Sequence, residues 1–238
     1  PYLPSWEYIP DGEPHVFNGR VYVYGSHDRF NAPIFCVNDY VCWSAPVEDL
    51  SEWRYEGVIY RKKQDPKNPL GYHLLFAPDV CQGPDGRYYL YYAFDFLGIM
   101  SVAVCDTPAG EYKFLGHIHY ADGTLWGRRR GDQLPFDPGV LADDDGRVWL
   151  YSGFYNAVPA ILTGGHKLRC DGGTVLELEK DMVTIKTEPR VIFPKKGPGA
   201  FQGHEFFEAS SIRKEGKTYI FVYSSRHNHE LCYATSQS

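Results

Sequence analysis

One pattern recurs four times along the chain and limits the folds open to it. The segments are E-P-H-V-F-N-G-R-V-Y-V-Y (13–24), A-P-D-V-C-Q-G-P-D-G-R-Y-Y-L-Y-Y (77–92), D-P-G-V-L-A-D-D-D-G-R-V-W-L-Y (137–151) and E-A-S-S-I-R-K-E-G-K-T-Y-I-F-V-Y (208–223). Each carries a carboxylate, a short apolar run, a turn ending in Gly-Arg or Gly-Lys, and an aromatic run. The turn glycines Gly19, Gly86, Gly146 and Gly216 are spaced by 67, 60 and 70 residues. Asn-Gly and Asp-Gly supply the positive φ that tight hairpins need, and β-branched and aromatic flanks favour the pleated backbone. Each segment therefore predicts a hairpin. Further strands are expected at 40–44, 53–60, 99–104, 112–118, 174–179, 185–193 and 230–236. That is about four strands per unit, with no helical period between them.

Four-stranded units repeated at this interval predict an all-β fold, a β-propeller. The composition agrees: 24 Gly, 17 Pro and 16% aromatic residues suit many short strands and tight turns. A single domain over 1–238 is expected, with approximate blades 13–60, 74–118, 137–193 and 208–238. A period near 65 residues gives just under four units in 238 residues. The chain is thus expected to be a four-bladed ring or to leave a further blade outside it.

In a propeller the first strand of each blade lines the axis, so equivalent positions of successive blades converge at one end. The repeat sets Glu13, Asp79, Asp137 and Glu208 at nearly matched positions. A cleft with several acids and many aromatics suits a sugar, whose ring stacks on aromatic faces while carboxylates bind its hydroxyls. Glycoside cleavage needs two carboxyl groups in different protonation states, and crowding acids together separates their pKa values. A net charge of −6 argues against a nucleic-acid partner, and no run approaches 18 apolar residues, so no membrane helix is expected. The six cysteines lack metal-binding spacing and sit in apolar stretches; buried reduced thiols and a cytoplasmic setting are expected, with a secreted protein as the alternative.

These motifs, in this order, resemble the family 43 glycoside hydrolases, five-bladed β-propellers that include β-xylosidases, α-L-arabinofuranosidases and arabinanases. The resemblance rests on E-P-H-V-F-N-G-R-V-Y-V-Y-G-S-H-D, F-A-P-D-V, D-P-G-V-L-A-D-D-D-G-R-V-W-L-Y-S-G and F-F-E-A-S-S-I-R-K-E-G-K-T-Y-I-F-V-Y-S, with 49–57 similar to the outer hairpin of blade one. It implies Glu208 as general acid and Asp137 as the residue that tunes that acid and orients substrate. Glu13 falls where the family has an Asp-Pro whose aspartate is the general base. Glu reaches about 1–1.5 Å further than Asp, a displacement to which catalysis is sensitive. Asp11, on the same face of an extended strand, is the alternative base; Glu13 ranks first. The family inverts at the anomeric carbon, which implies acid and base about 6.5–9.5 Å apart.

Asp79 is expected to bond backbone N–H groups, and Phe76 to be a stacking platform or a core aromatic. His27, Asp28, Phe154 and Arg226 complete the candidate substrate contacts. His227-Asn228-His229 reads as surface, Arg128-Arg129-Arg130 as a solvated loop, and Asp143-Asp144-Asp145-Gly146 as a hairpin turn. No cofactor or catalytic metal is expected; the family's axial metal leaves room for a structural calcium. The resemblance implies a glycosidase removing xylose or arabinose from plant polysaccharide or oligosaccharide substrates by an inverting mechanism. The alternative is a carbohydrate-binding propeller without catalysis. A protein-interaction propeller and a fructan-cleaving one fit less well, the latter for want of Asn-Asp-Pro-Asn.

Overall fold

A computed structural model describes residues 2–237. It contains four antiparallel sheets, each built from consecutive strands in chain order. The first sheet is β1 (Glu13–Phe17), β2 (Arg20–Tyr24), β3 (Tyr40–Pro46) and β4 (Arg54–Tyr60). The second is β5 (Asp79–Gln82), β6 (Tyr88–Ala93), β7 (Met100–Cys105) and β8 (Lys113–His117). The third is β9 (Gly139–Ala142), β10 (Val148–Phe154), β11 (Gly172–Leu178) and β12 (Arg190–Pro194). The fourth has three described strands, β13 (Phe206–Glu215), β14 (Thr218–Ser225) and β15 (Leu231–Ser236). The only described helical element is one 3₁₀ turn, Lys62–Gln64. No helix among the described residues is long and apolar enough to cross a membrane.

The turns follow from their residues. Asn18 and Gly19 link β1 to β2 with φ of 50° and 76°, and Phe17 pairs with Arg20 across them. Two successive positive φ values match the twist of the flanking strands. The second and third sheets instead close five-residue loops with two bonds each: Gly83 N–H to Arg87 O (2.8 Å) and Gly86 N–H to Gly83 O (2.9 Å), and Asp143 N–H to Arg147 O (2.8 Å) and Gly146 N–H to Asp143 O (2.9 Å).

The strands β1, β5, β9 and β13 neighbour one another in turn, so the sheets are four blades of a propeller packed face to face. Between the first two blades lie Tyr24, Tyr40, Tyr60, Leu90, Tyr92 and Tyr112, all buried. A buried tyrosine must satisfy its hydroxyl. Tyr24 donates to Pro108 O (2.7 Å), and Tyr92 donates to Asp65 Oδ2 (2.8 Å) while meeting Tyr60 hydroxyl at 2.7 Å. Blades two and three enclose Tyr91, Val102, Val140, Leu150 and Leu176. Blades three and four share Phe193, Phe206, Ile212, Phe221 and Tyr223. The tyrosine-rich composition is thus interblade packing. The six cysteines are all free, and Cys36, Cys42, Cys81 and Cys170 are buried.

Candidate active site

A cavity of about 300 Å³ opens at one end of the propeller, and segments far apart in sequence line it. Asp11 comes from the residues before β1, Asp28 and Cys36 from the β2–β3 connection, Asp137 from just before β9 and Glu208 from β13. Phe35, Phe76, Phe96, Phe136 and Phe154 complete the wall. The Phe96 and Phe136 rings stack with centroids 5.4 Å apart and planes 6° apart, and Phe76 stands edge-on to both.

The backbone at this cavity is strained. Asp11, Cys36, Asp137 and Ala209 have φ of 55°, 57°, 43° and 60°. Non-glycine residues adopt that left-handed region at a cost of order 1–3 kcal/mol, and such strain clusters at functional sites. Here hydrogen bonds hold it. The buried Ser26 hydroxyl donates to Asp11 Oδ2 (2.7 Å). Ala209 N–H donates to Asp137 Oδ2 (3.1 Å), and Cys36 N–H donates to Asp28 Oδ1. Gly25 lets the chain pass close behind Asp11, for a Cβ there would lie 2.7 Å from Pro10 O.

Burial and mutual repulsion set the protonation of this site. Loss of water, then the neighbouring Glu208 and Asp11 charges, push Asp137 well above the usual carboxylate range. Burial, then Asp11, raise Glu208 to about 7. Glu208 therefore keeps a proton in mildly acidic water and can donate it. Burial pushes the Cys36 thiol up to about 12, so it serves as wall rather than nucleophile. Carboxyl groups from three distant segments around an aromatic pocket, one of them a proton donor, are the equipment of glycoside cleavage.

Comparison with known proteins agrees with that equipment. The model of glycosyl hydrolases family 43 matches residues 11–238. The chain belongs to that family. It is 61% identical over 241 residues to a xylosidase/arabinosidase of Thermoclostridium stercorarium, a match that covers 100% of this chain and 49% of the relative. The chain thus spans about half the length of that relative. A xylosidase/arabinosidase of Bacteroides ovatus is 31% identical, with 100% of this chain and 76% of the relative covered. Among solved structures, the RS223 β-xylosidase superposes with a TM-score of 0.72 at 26% identity, covering 98% of this chain and 75% of that one. A β-xylosidase/α-arabinofuranosidase from a compost metagenome, in complex with xylotriose and calcium-free, gives 0.73 at 26% identity, covering 100% and 76%.

Within this family 43 chain the four repeat acids do not meet in one place. Asp137 and Glu208 line the cavity; Glu13 and Asp79 do not. Glu13 points to the axis, where its Oε2 accepts from Arg213 Nη2 (2.7 Å) and from Ser211 hydroxyl (3.0 Å). Of the two candidate bases, Glu13 ranked first and Asp11 the alternative, Asp11 lines the cavity and Glu13 stands outside it. The physical reason is the left-handed backbone at Asp11, which ends the period-2 alternation that would give both residues one face. Asp79 is fully buried and accepts from Val80 N–H and Val140 N–H, both 2.7 Å, with His15 Nε2 at 2.6 Å.

The other candidates divide similarly. Asp28, Phe76 and Phe154 line the cavity. His27 does not: Nδ1 meets Asp39 O (2.8 Å) and Nε2 meets Glu7 Oε1 (2.9 Å), so both nitrogens are engaged in the fold. Arg226 also stands outside, its guanidinium 5.0 Å from the Tyr155 ring centre. Phe35, Cys36, Phe96 and Phe136 line the cavity and were not singled out by sequence as site residues. One signal was available: an aromatic precedes three of the four motif acids, directly in F-D-P-G and F-F-E-A and across Ala-Pro in F-A-P-D.

Glu13, His15 and Asp79 offer ligand atoms within 4.8 Å of one another, a candidate place for the structural calcium that the resemblance leaves room for. The donor set fits a divalent ion poorly. Arg213 already places a positive charge on Glu13, and the Asp79 oxygens already accept two N–H groups and face His15.

Proposed function

We propose that the protein removes single pentose units, β-D-xylosyl or α-L-arabinofuranosyl, from plant oligosaccharides or polysaccharides by single-displacement hydrolysis. The observation that carries the reading is Asp11, Asp137 and Glu208 together in one phenylalanine-walled cavity. The names of the relatives, xylosidase/arabinosidase and β-xylosidase, support the pentose. In this reading Glu208 gives its proton to the glycosidic oxygen as the bond to the anomeric carbon breaks. Asp11 takes a proton from a water whose oxygen attacks that carbon on the opposite face. The product emerges inverted, and Glu208 and Asp11 exchange protons with solvent before the next turnover. Ser26 holds Asp11 in aim, and Asp137 adds to the field that orients substrate. No organic cofactor enters the reading, and six scattered thiols support a cytoplasmic setting.

Hydrolysis of an aryl β-D-xyloside and an aryl α-L-arabinofuranoside by the full-length protein tests this. At least one is expected to turn over, with the inverted anomer as first product by proton NMR. Glu208→Gln and Asp11→Asn should each lower kcat by about 10²–10⁴ on substrates needing both acid and base. Sugar binding without turnover of either glycoside or of pentose oligomers would leave only a carbohydrate-binding propeller.

A further inference from the structure

The turn after β14 carries two left-handed non-glycine residues in succession, Asn228 and His229, with φ of 54° and 53°. Such a pair persists only where its surroundings fix it. Three contacts do so at His229. The Phe207 ring meets the imidazole edge-on at 4.8 Å and 88°. The Ser224 hydroxyl lies 3.2 Å from Nδ1. The same Nδ1 is 3.9 Å from Glu208 Oε1. The side chain is 63% exposed, and Nε2, on the far edge of the ring, has no hydrogen-bond partner among the described residues.

That placement has a chemical meaning if Glu208 is the proton donor, so the inference rests on the proposed hydrolase reading. The carboxyl of Glu208 has Asp11 and Asp137 on its cavity side. The sugar being released must sit there. The glycosidic oxygen must come to Glu208, and whatever is bonded beyond that oxygen must extend toward solvent. His229 stands beside Glu208 on its exposed side, held rigid, with one nitrogen unengaged. We propose that His229 binds the leaving-group sugar, its Nε2 hydrogen-bonding a hydroxyl of the pentose next to the scissile bond.

The test compares a leaving sugar with none. In the Glu208→Gln background, where turnover does not intrude, calorimetry would measure binding of a pentose disaccharide and of its monosaccharide to the full-length protein, with and without His229→Ala. His229→Ala should weaken disaccharide binding about tenfold, the size of one hydrogen bond, and leave monosaccharide binding within about twofold. His229→Asn, which keeps an N–H donor, should recover part of the loss. Equal weakening of both sugars, no weakening, or no binding of the disaccharide at all would overturn the proposal. Kinetics separate the two readings. A parent that binds the disaccharide through His229 yet cleaves neither oligomer nor aryl glycoside would sink the hydrolase reading alone. A parent that cleaves both, with His229→Ala lowering kcat/KM equally on both, would sink the subsite alone.

Discussion

Asp11 and Glu13 are separated by one glycine, and the fold gives them unrelated tasks. Asp11 is turned into the cavity by a left-handed backbone and anchored by Ser26, while Glu13 starts β1 and faces Arg213 on the axis. Both are carboxylates near one end of a strand, so composition and spacing cannot separate them; a single φ value can. The anchor carries a prediction. Ser26 is buried, and its hydroxyl donates to Asp11 Oδ2. Ser26→Ala removes that bond and lets the carboxylate leave the angle at which it can take a proton from water. Because displacements near 1 Å are costly to catalysis, kcat should fall about 10- to 100-fold while KM stays within about threefold. Glu13→Gln, by contrast, should leave kcat within a few fold and lower the unfolding midpoint, since it uncovers the Arg213 charge. Steady-state kinetics and urea unfolding of the two variants check both halves.

The hairpin is the element that the sequence displays most openly. Asn18-Gly19 closes β1 and β2 as its dihedral demands dictate, and strands expected at 40–44, 53–60 and 230–236 appear as Tyr40–Pro46, Arg54–Tyr60 and Leu231–Ser236. Local turn chemistry and period-2 patterning act within a few residues, so they can be read from them. The strand expected at 185–193 forms only as Arg190–Pro194; ahead of it Ile185 makes an isolated bridge to Leu178, and the Thr187 hydroxyl accepts from Glu177 N–H. Contacts between blades are not local, and there the sequence is silent. Even within blade four, nothing in H-N-H marks His229 as a neighbour of Glu208; the turn after β14 must fold back to bring it there. The same holds for Gly139 in β9. A Cβ at that position would lie 2.6 Å from Ser210 O in β13, so the inner strands of blades three and four touch there. Asp137 and Glu208 each lie two residues before this contact. Gly139→Ala must push the strands apart, at a cost of about 1–3 kcal/mol, and stretch the bond from Ala209 N–H to Asp137. Both stability in urea and kcat should fall, whereas Gly146→Ala in the exposed turn should affect stability alone.

At the scale of the whole molecule, burying acids at the cavity and beside it makes the protein resist their ionisation. The chain has a net charge of −6, and Glu208, Asp137 and Glu13 all have carboxyls raised above their ordinary values, in each case chiefly by burial. A raised carboxyl binds its proton more tightly in the folded state than in the unfolded one. Its stabilising contribution is complete below the unfolded value and declines as pH rises toward the folded one. For Glu208 that window runs from 4.5 to about 7. Asp65 and Asp143 run the other way: hydrogen bonds to His117 and to Lys214 hold them low against burial, so their contribution fades as pH falls through the acid range. Stability should therefore peak in mildly acidic buffer and decline toward pH 8. Activity should fall over the same upper interval, since Glu208 must carry a proton to donate it. The two declines share a cause and can be uncoupled. Glu208→Gln keeps the shape of the side chain and removes its charge. Each pKa unit is worth about 1.4 kcal/mol, less where water reaches the group. The variant should therefore gain on the order of 1–2 kcal/mol at pH 8 and nothing near pH 4. Thermal unfolding across that range should show the parent and the variant converging in acid and separating by a few degrees in base. Curves that run parallel at every pH would mean that Glu208 does not hold its proton in the folded protein, and the acid assigned to the leaving group would have to be sought elsewhere in the cavity.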